Sequence, residues 1–294
     1  MSNTVSISSG WNSSCALKTD GSVVAWGRNE YGQTNVPALL SNVIAIAHKE
    51  LKSYFASPIA YIVIGFFVLL FGFFYYSLVL IFNQQSMQMA GFDGAPVQNV
   101  NDQMIRPLFL NASVILLFVL PMITMRTYAE EKRSGTIELL LTAPLTDFQI
   151  IFGKFLGALA LYAAMLAVTF VHMATLFAFG NPEWVPIATG YLGLLLMGGC
   201  FISIGLLISS LTKNQIVAGF MTFVVFLMLW VINWLADSSG PTGQTILSFL
   251  SITDHLDDFT KGIIDTKHIV YYLSFITFGL FLTAKSVDSE RWRG

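Results

Sequence analysis

Six apolar blocks, each about as long as a membrane is thick, constrain this chain more than any other feature of its sequence. They run from Pro58 to Phe82, Pro107 to Met125, Ile150 to Phe179, Ile187 to Leu211, Ile216 to Ala236 and His268 to Ala284. A hydrocarbon core roughly 30 Å thick is crossed by about 20 helical residues, which is close to what each block supplies. Their central parts hold no Asp, Glu, Lys or Arg, any of which would cost about 2.5–3.5 kcal/mol on insertion. In lipid the backbone has no water to bond to, so a block of this length closes its own hydrogen bonds as a helix. Composition agrees, since 55% of the 294 residues are hydrophobic and only 11% are charged, against about 25% charged in a soluble domain. The expected fold is an all-α polytopic membrane protein with six transmembrane helices.

Orientation follows from the Lys and Arg residues flanking the blocks. Lys49, Lys52, Arg126, Lys132, Arg133, Lys154, Lys213, Lys285, Arg291 and Arg293 fall on one side; only Arg106, Lys261 and Lys267 fall on the other. Both termini are therefore expected in the cytosol. Tyr75, Tyr76, Trp230, Trp234, Tyr271 and Tyr272 lie towards the opposite ends, where an interfacial aromatic belt belongs. The first forty residues are polar and show no cleavable signal peptide, so the first span is expected to act as its own insertion signal.

Several function classes drop out. A net charge of −2 with no continuous basic stripe argues against nucleic-acid binding. Two cysteines, Cys15 and Cys200, imply no disulfide framework and read as inert small residues. The one Gly-Lys pair, Gly153-Lys154, is followed by Phe155, so no phosphate-cradling G-x-x-x-x-G-K-[ST] loop exists. Any ATP-driven step needs another chain. No ionisable pair lies within a span to relay protons, which disfavours an ion-driven transporter. His172, the one titratable candidate there, reads as a packing or interface residue near the outer face. No catalytic, cofactor or metal residue is expected.

The connecting segments say more. Over Val43–Ser57, a helical projection puts Val43, Ile44, Ala47, Leu51, Tyr54 and Phe55 on one arc, with His48, Lys49 and Lys52 opposite and Ile46 off the pattern. This predicts a helix lying on the cytosolic leaflet. Between the second and third spans, Ile137, Leu140 and Leu141 form a short apolar helical face among charges, bounded by Gly135 and Pro144. Thr146 and Gln149 then have the spacing of a capping box, and Leu145 and Ile150 that of a hydrophobic staple. Thr245–Asp265 is too short and too interrupted by Asp254, Asp257 and Asp258 to span, so a re-entrant or interfacial segment is expected. Along the third span Gly153, Gly157, Ala160, Ala164 and Ala167 recur at helical spacing, predicting close approach of another helix.

Those connections carry a resemblance. His48-Lys49-Glu50-Leu51, Glu130-Glu131-Lys132, Gly135-Thr136-Ile137-Glu138-Leu139-Leu140, Pro144, Gly153-Lys154, then Asp254-His255, Asp258-Phe259, Gly262 and Ile264-Asp265 resemble ABC exporter permeases of the second type. The likeness covers about residues 41–294 and is nearest to the gliding-motility-associated branch. It implies a subunit of the bacterial inner membrane that pairs with a second permease copy or homologue and with ATP-binding subunits, which hold the ATP and magnesium. Glu130, Glu131, Gly135, Thr136, Ile137, Glu138, Leu140, Leu141 and Pro144 would form the ATPase-coupling segment within 126–145. Asp254, His255, Asp258, Phe259, Gly262 and Asp265 would belong to an external re-entrant motif. A non-transporting anchor or assembly subunit of a larger machine, such as a motility apparatus, is the alternative. Residues 1–40 look different: Val5 to Gly10, Ala16-Leu17 and Val23 to Ala25 around Asp20-Gly21, and Trp26 to Gln33 resemble one repeat of the regulator of chromosome condensation propeller. One repeat cannot close a propeller, so a β-hairpin-like leader without inherited binding activity is expected ahead of a permease domain at 41–294.

Overall fold

The computed structural model describes residues 4–9, 13–18, 23–27, 38–89, 99–137, 145–238, 247 and 249–291. The leader forms an antiparallel meander of β1 (Thr4–Ser9), β2 (Ser13–Lys18) and β3 (Val23–Gly27), in the order β1-β2-β3. Leu17 pairs with Val23 and Ala16 with Val24, which is the hairpin read around Asp20-Gly21.

The rest is helical. α1 (Ala38–Ala56) leads into α2 (Pro58–Met89); a π-helical turn (Asn101–Ile105) opens α3 (Arg106–Thr124), and α4 (Ala129–Ser134) follows within a few residues. Then come α5 (Asp147–Phe179), α6 (Trp184–Leu211), α7 (Gln215–Ser238), α8 (Ile252–Thr260) and α9 (Thr266–Arg291). Among the described residues six helical stretches are long and apolar enough to cross a membrane: Pro58–Gln88, Asn101–Ser134, Asp147–Phe179, Trp184–Leu211, Gln215–Ile232 and Thr266–Glu290. They match the six expected spans.

Burial divides them into two sets. The apolar windows of the spans built on α3, α5 and α6 are 67%, 61% and 67% buried, whereas those on α2, α7 and α9 are each 17% buried. The first three are the core and the others present wide apolar faces. Glycines let α6 sit this deep: a Cβ at Gly198 would stand 2.1 Å from the Tyr162 ring, and one at Gly205 would stand 2.2 Å from Thr124 Oγ1. Interiors packed to crystal density cannot absorb such overlap.

Three sequence expectations need correction. Ile46 is buried and Ile44 is 41% exposed, so the face that α1 hides is Val43, Ile46, Glu50 and Tyr54. The reason is tertiary, because α1 lies along α5 and hides the side that meets protein. In the small-residue stripe Gly153 and Gly157 do meet another helix, and that helix is α1, but Ala160 and Ala167 are exposed and Ala164 is half-buried. Tyr272 is no belt residue either, since it is fully buried and its hydroxyl donates to the Ile252 carbonyl at 3.0 Å.

Candidate functional site

Two polar junctions, one at each end of the bundle, hold most of the residues singled out from the sequence. The near-end junction begins with the contact of α1 and α5. A Cβ at Gly153 would fall 2.7 Å from Ile46 Cβ, and one at Gly157 would fall 2.7 Å from Glu50 Cβ. This close approach brings the Glu50 carboxylate to Lys154, whose side chain is 1% exposed. The ammonium donates to Glu50 Oε1 at 2.9 Å, Glu131 Oε1 at 2.8 Å and the Thr127 carbonyl at 3.0 Å. All three of its N–H bonds are thereby used, and the Tyr128 ring lies 5.0 Å away. Lys49 stands 3.7 and 3.6 Å from the same two carboxylates. Two cations thus face two anions, the balance that a buried charge requires.

The segment after α3 is built on this junction. Arg126–Ser134 continues the helix through a turn instead of looping into solvent, and Tyr128 and Ala129 are fully buried. The start of α4 leaves amides without helical partners; Ser209 of α6 accepts from Tyr128 N at 3.0 Å and Ala129 N at 3.1 Å, and donates to the Met125 carbonyl at 3.1 Å. Lys132, 7% exposed, donates to the Ser210 carbonyl and to Glu290 of α9. Arg126 Nε holds Glu130 at 2.9 Å. Gly135 ends α4 at φ 75°, a left-handed conformation suited to glycine. The Thr136 hydroxyl meets that of Ser134 at 2.9 Å, and Ile137 packs against the core. Glu138, Leu140, Leu141 and Pro144, with the helix expected there, lie outside the described residues. Beyond them the capping box is present: Gln149 N donates to Thr146 Oγ1 at 3.3 Å, and Thr146 N donates to Gln149 Oε1 at 2.9 Å. A cleft of about 320 Å³ runs between α1 and α4, lined by Lys49, Glu50, Tyr54, Arg126, Glu130 and Glu131 among others.

The far-end junction is built on α8, which is far too short to span and lies against α6 and α3. Ser251 caps it, accepting from Asp254 N at 3.3 Å, and Gly262 at φ 86° turns the chain back towards α9. Ile252, Leu256 and Phe259 are fully buried, and Thr189 of α6 donates to the Phe259 carbonyl at 2.6 Å. Arg106 grips Asp257 through two bonds, Nε to Oδ1 at 2.7 Å and Nη2 to Oδ2 at 3.0 Å, and Lys261 adds a contact at 2.6 Å. Burial raises the Asp257 carboxyl's pKa, but the hydrogen bonds from Arg106 and Lys261 outweigh it and hold the group below its ordinary value. His255 reaches His268 of α9, and His268 reaches Asp258. Asp265 accepts from Lys267 N at 3.0 Å.

Sequence reasoning placed Glu131, Asp254, His255 and Asp258 among the site residues, but not Glu50, Lys154, Arg106, Asp257 or His268. A lysine just after Gly153 was visible; its two carboxylate partners, 104 and 23 residues away along the chain, were not. Among the described residues no group of three or more His, Cys, Asp or Glu could hold a metal ion. His172 lies against Phe71 and Tyr75, with ring centroids at 5.5 and 5.4 Å, over Gly72.

Comparison with known proteins agrees with this architecture. Residues 4–33 match the regulator of chromosome condensation repeat. A stretch of 143 residues is 29% identical to the probable multidrug ABC transporter permease YbhR in each of two Escherichia coli strains, covering 48% of this chain and 38% of those relatives. The model of the ABC-2 family transporter protein matches residues 44–284, from α1 through most of α9. With most of its length and most of both junctions inside that match, the chain belongs to the ABC-2 transporter family, as a multi-pass membrane protein.

Proposed function

We propose that this chain is the permease subunit of an export-type ABC transporter and couples to a separate ATP-binding chain through residues 126–145. The observation that carries this reading is the Lys154 junction. It ties α1, the α3–α4 segment and α5 together by short charged contacts directly beside the candidate coupling residues. A push on 126–145 would therefore move α5 and α1 as one body, as force transmission needs. ATP and magnesium belong to the partner, and this chain holds no cofactor. The basic flanks favour a bacterial inner-membrane orientation with both termini cytosolic. The apolar faces of α2, α7 and α9 favour a second permease copy or homologue beside the first. Likeness to a probable multidrug permease favours a drug-like molecule as cargo. Leader and permease are read as two units, 1–40 and 41–294.

The test is Glu138→Lys. It reverses one charge at the proposed docking face, and breaking a charge pair at an interface costs about 2–5 kcal/mol, weakening docking some thirtyfold or more. The expected result is a permease present at normal level that recovers its partner ATPase poorly or no longer stimulates it. Normal recovery with normal stimulated hydrolysis would remove the coupling role and favour the anchor reading.

A further inference from the structure

The far-end junction contains a set of three contacts that two neutral histidines cannot all satisfy. His255 and His268 are 5% and 4% exposed, and their Nδ1 atoms stand 2.5 Å apart. His255 Nε2 lies 3.0 Å from the Phe249 carbonyl, and His268 Nε2 lies 2.9 Å from Asp258 Oδ2. A carbonyl and a carboxylate only accept, so both Nε2 atoms must carry protons. The Nδ1···Nδ1 contact needs one proton more. Three contacts therefore demand three ring protons, and two neutral imidazoles supply two. With two, one contact is always left without a proton, so that either the two Nδ1 lone pairs face each other at 2.5 Å or an Nε2 lone pair faces the Phe249 carbonyl or the Asp258 carboxylate; with four, two N–H groups collide between the Nδ1 atoms. Only the singly charged pair satisfies every contact.

We infer that His255 and His268 form a binding site for one shared proton, balanced by Asp258, and that this proton latches α8 to the outer end of α9. Two coupled sites titrate as a pair, so the latch closes over a pH window with two limbs. The acid limb is entry of a second proton. Burial, joined by the charge on His268 and opposed by the bond to the Phe249 carbonyl, holds the pKa of His255 below its ordinary value, which places that limb on the acid side. The alkaline limb is loss of the shared proton. Surrounding charges support a single cation. Asp258 faces His268, and Lys261 lies 3.4 Å from Asp258. Asp257 is occupied by Arg106 and Lys261. Asp254 shares the helix, while Asp265, just before α9, pairs with Lys267 in its first turn. On α9 the Tyr271 ring stacks on His255 at 3.9 Å and Tyr272 stands at 6.1 Å. Of the other elements packed on α8, the α3 side brings Arg106, α6 brings Tyr191 and its N-cap Glu183, and α7 brings no charge among its described side chains. A bridging metal does not fit, since zinc bonded to both nitrogens at about 2.0–2.1 Å would hold them roughly 3.4 Å apart.

The site rests on geometry and stands independently of the transport reading. Its consequence is that packing of the far-end helix depends on the pH of the compartment it faces. The test is hydrogen exchange of the 252–260 amides in the full chain in lipid nanodiscs, from about pH 5 to about pH 8, corrected for intrinsic exchange. The wild-type chain should show maximal protection inside the window and a loss of about tenfold or more on the alkaline side, the worth of a charge-assisted hydrogen bond. His255→Gln and His268→Gln should flatten the profile, with protection of α6 unchanged. Asp258→Asn removes the counter-charge, so the cation is held less tightly and the alkaline limb should move to lower pH. If a histidine variant fails to fold, the wild-type profile and Asp258→Asn decide. A flat wild-type profile, a limb unmoved by Asp258→Asn, or protection abolished by a chelator would overturn the shared proton.

Discussion

Lys154→Met removes the cation at the centre of the near-end junction while keeping much of the side chain's volume. In the wild-type chain the 1% exposed ammonium serves two carboxylates and a carbonyl within 3.0 Å. Without it, Glu50 and Glu131, with side chains 11% and 16% exposed, face each other with Lys49 as nearest cation. Removing one partner of a buried ion pair costs about 3–5 kcal/mol. Lys49 offsets part of this, but it is 62% exposed and more than 3.5 Å from both carboxylates, so its share is about 0–1 kcal/mol. The expected net loss is roughly 2–5 kcal/mol. Equilibrium unfolding by SDS in mixed micelles measures it. The triple variant Lys154→Met, Glu50→Gln, Glu131→Gln should recover more than half of the loss, because neutral amides no longer repel. A single variant within about 0.5 kcal/mol of wild type, the range of ordinary surface substitutions, would refute the junction.

Gly157→Leu should separate α1 from α5, since even a Cβ there would stand 2.7 Å from Glu50 Cβ; an unchanged melting profile in detergent would show that this contact does not hold the helices together. With Cys200→Ala in place, an impermeant thiol reagent should miss Cys15 in intact cells and reach it after permeabilisation, and labelling in intact cells would reverse the orientation. Deleting residues 2–40 should leave expression and partner ATPase stimulation intact, because one propeller repeat buries little by itself; stimulation that collapses with expression unchanged would give the leader a role.

What was legible in advance tracks the range of the interaction involved. The spans were readable because lipid selects for uninterrupted apolar runs, a local property of sequence. The capping box at Thr146 and Gln149 was readable because both partners lie within one helical turn. The face of α1 was misjudged because Ile46 and Glu50 are buried against α5 and not against lipid. Hydropathy places a glutamate on the wet side, and only Lys154 makes its burial affordable. Likewise Asp254-His255 was noticed as a pattern, but nothing in that pattern points to His268.

The sequence by itself determined the membrane class, the number of spans, the basic asymmetry of their flanks, the break at Gly135, and the lack of a phosphate-binding loop. Each depends on neighbours within a few residues or on composition. Tertiary structure alone decided that α3, α5 and α6 form the core, that Gly153 and Gly157 receive α1, and that Lys154 joins Glu50 to Glu131. It also decided that two histidines share one contact. Such pairings join residues tens of positions apart, and their energies turn on distance and burial, which hydropathy and local spacing do not encode.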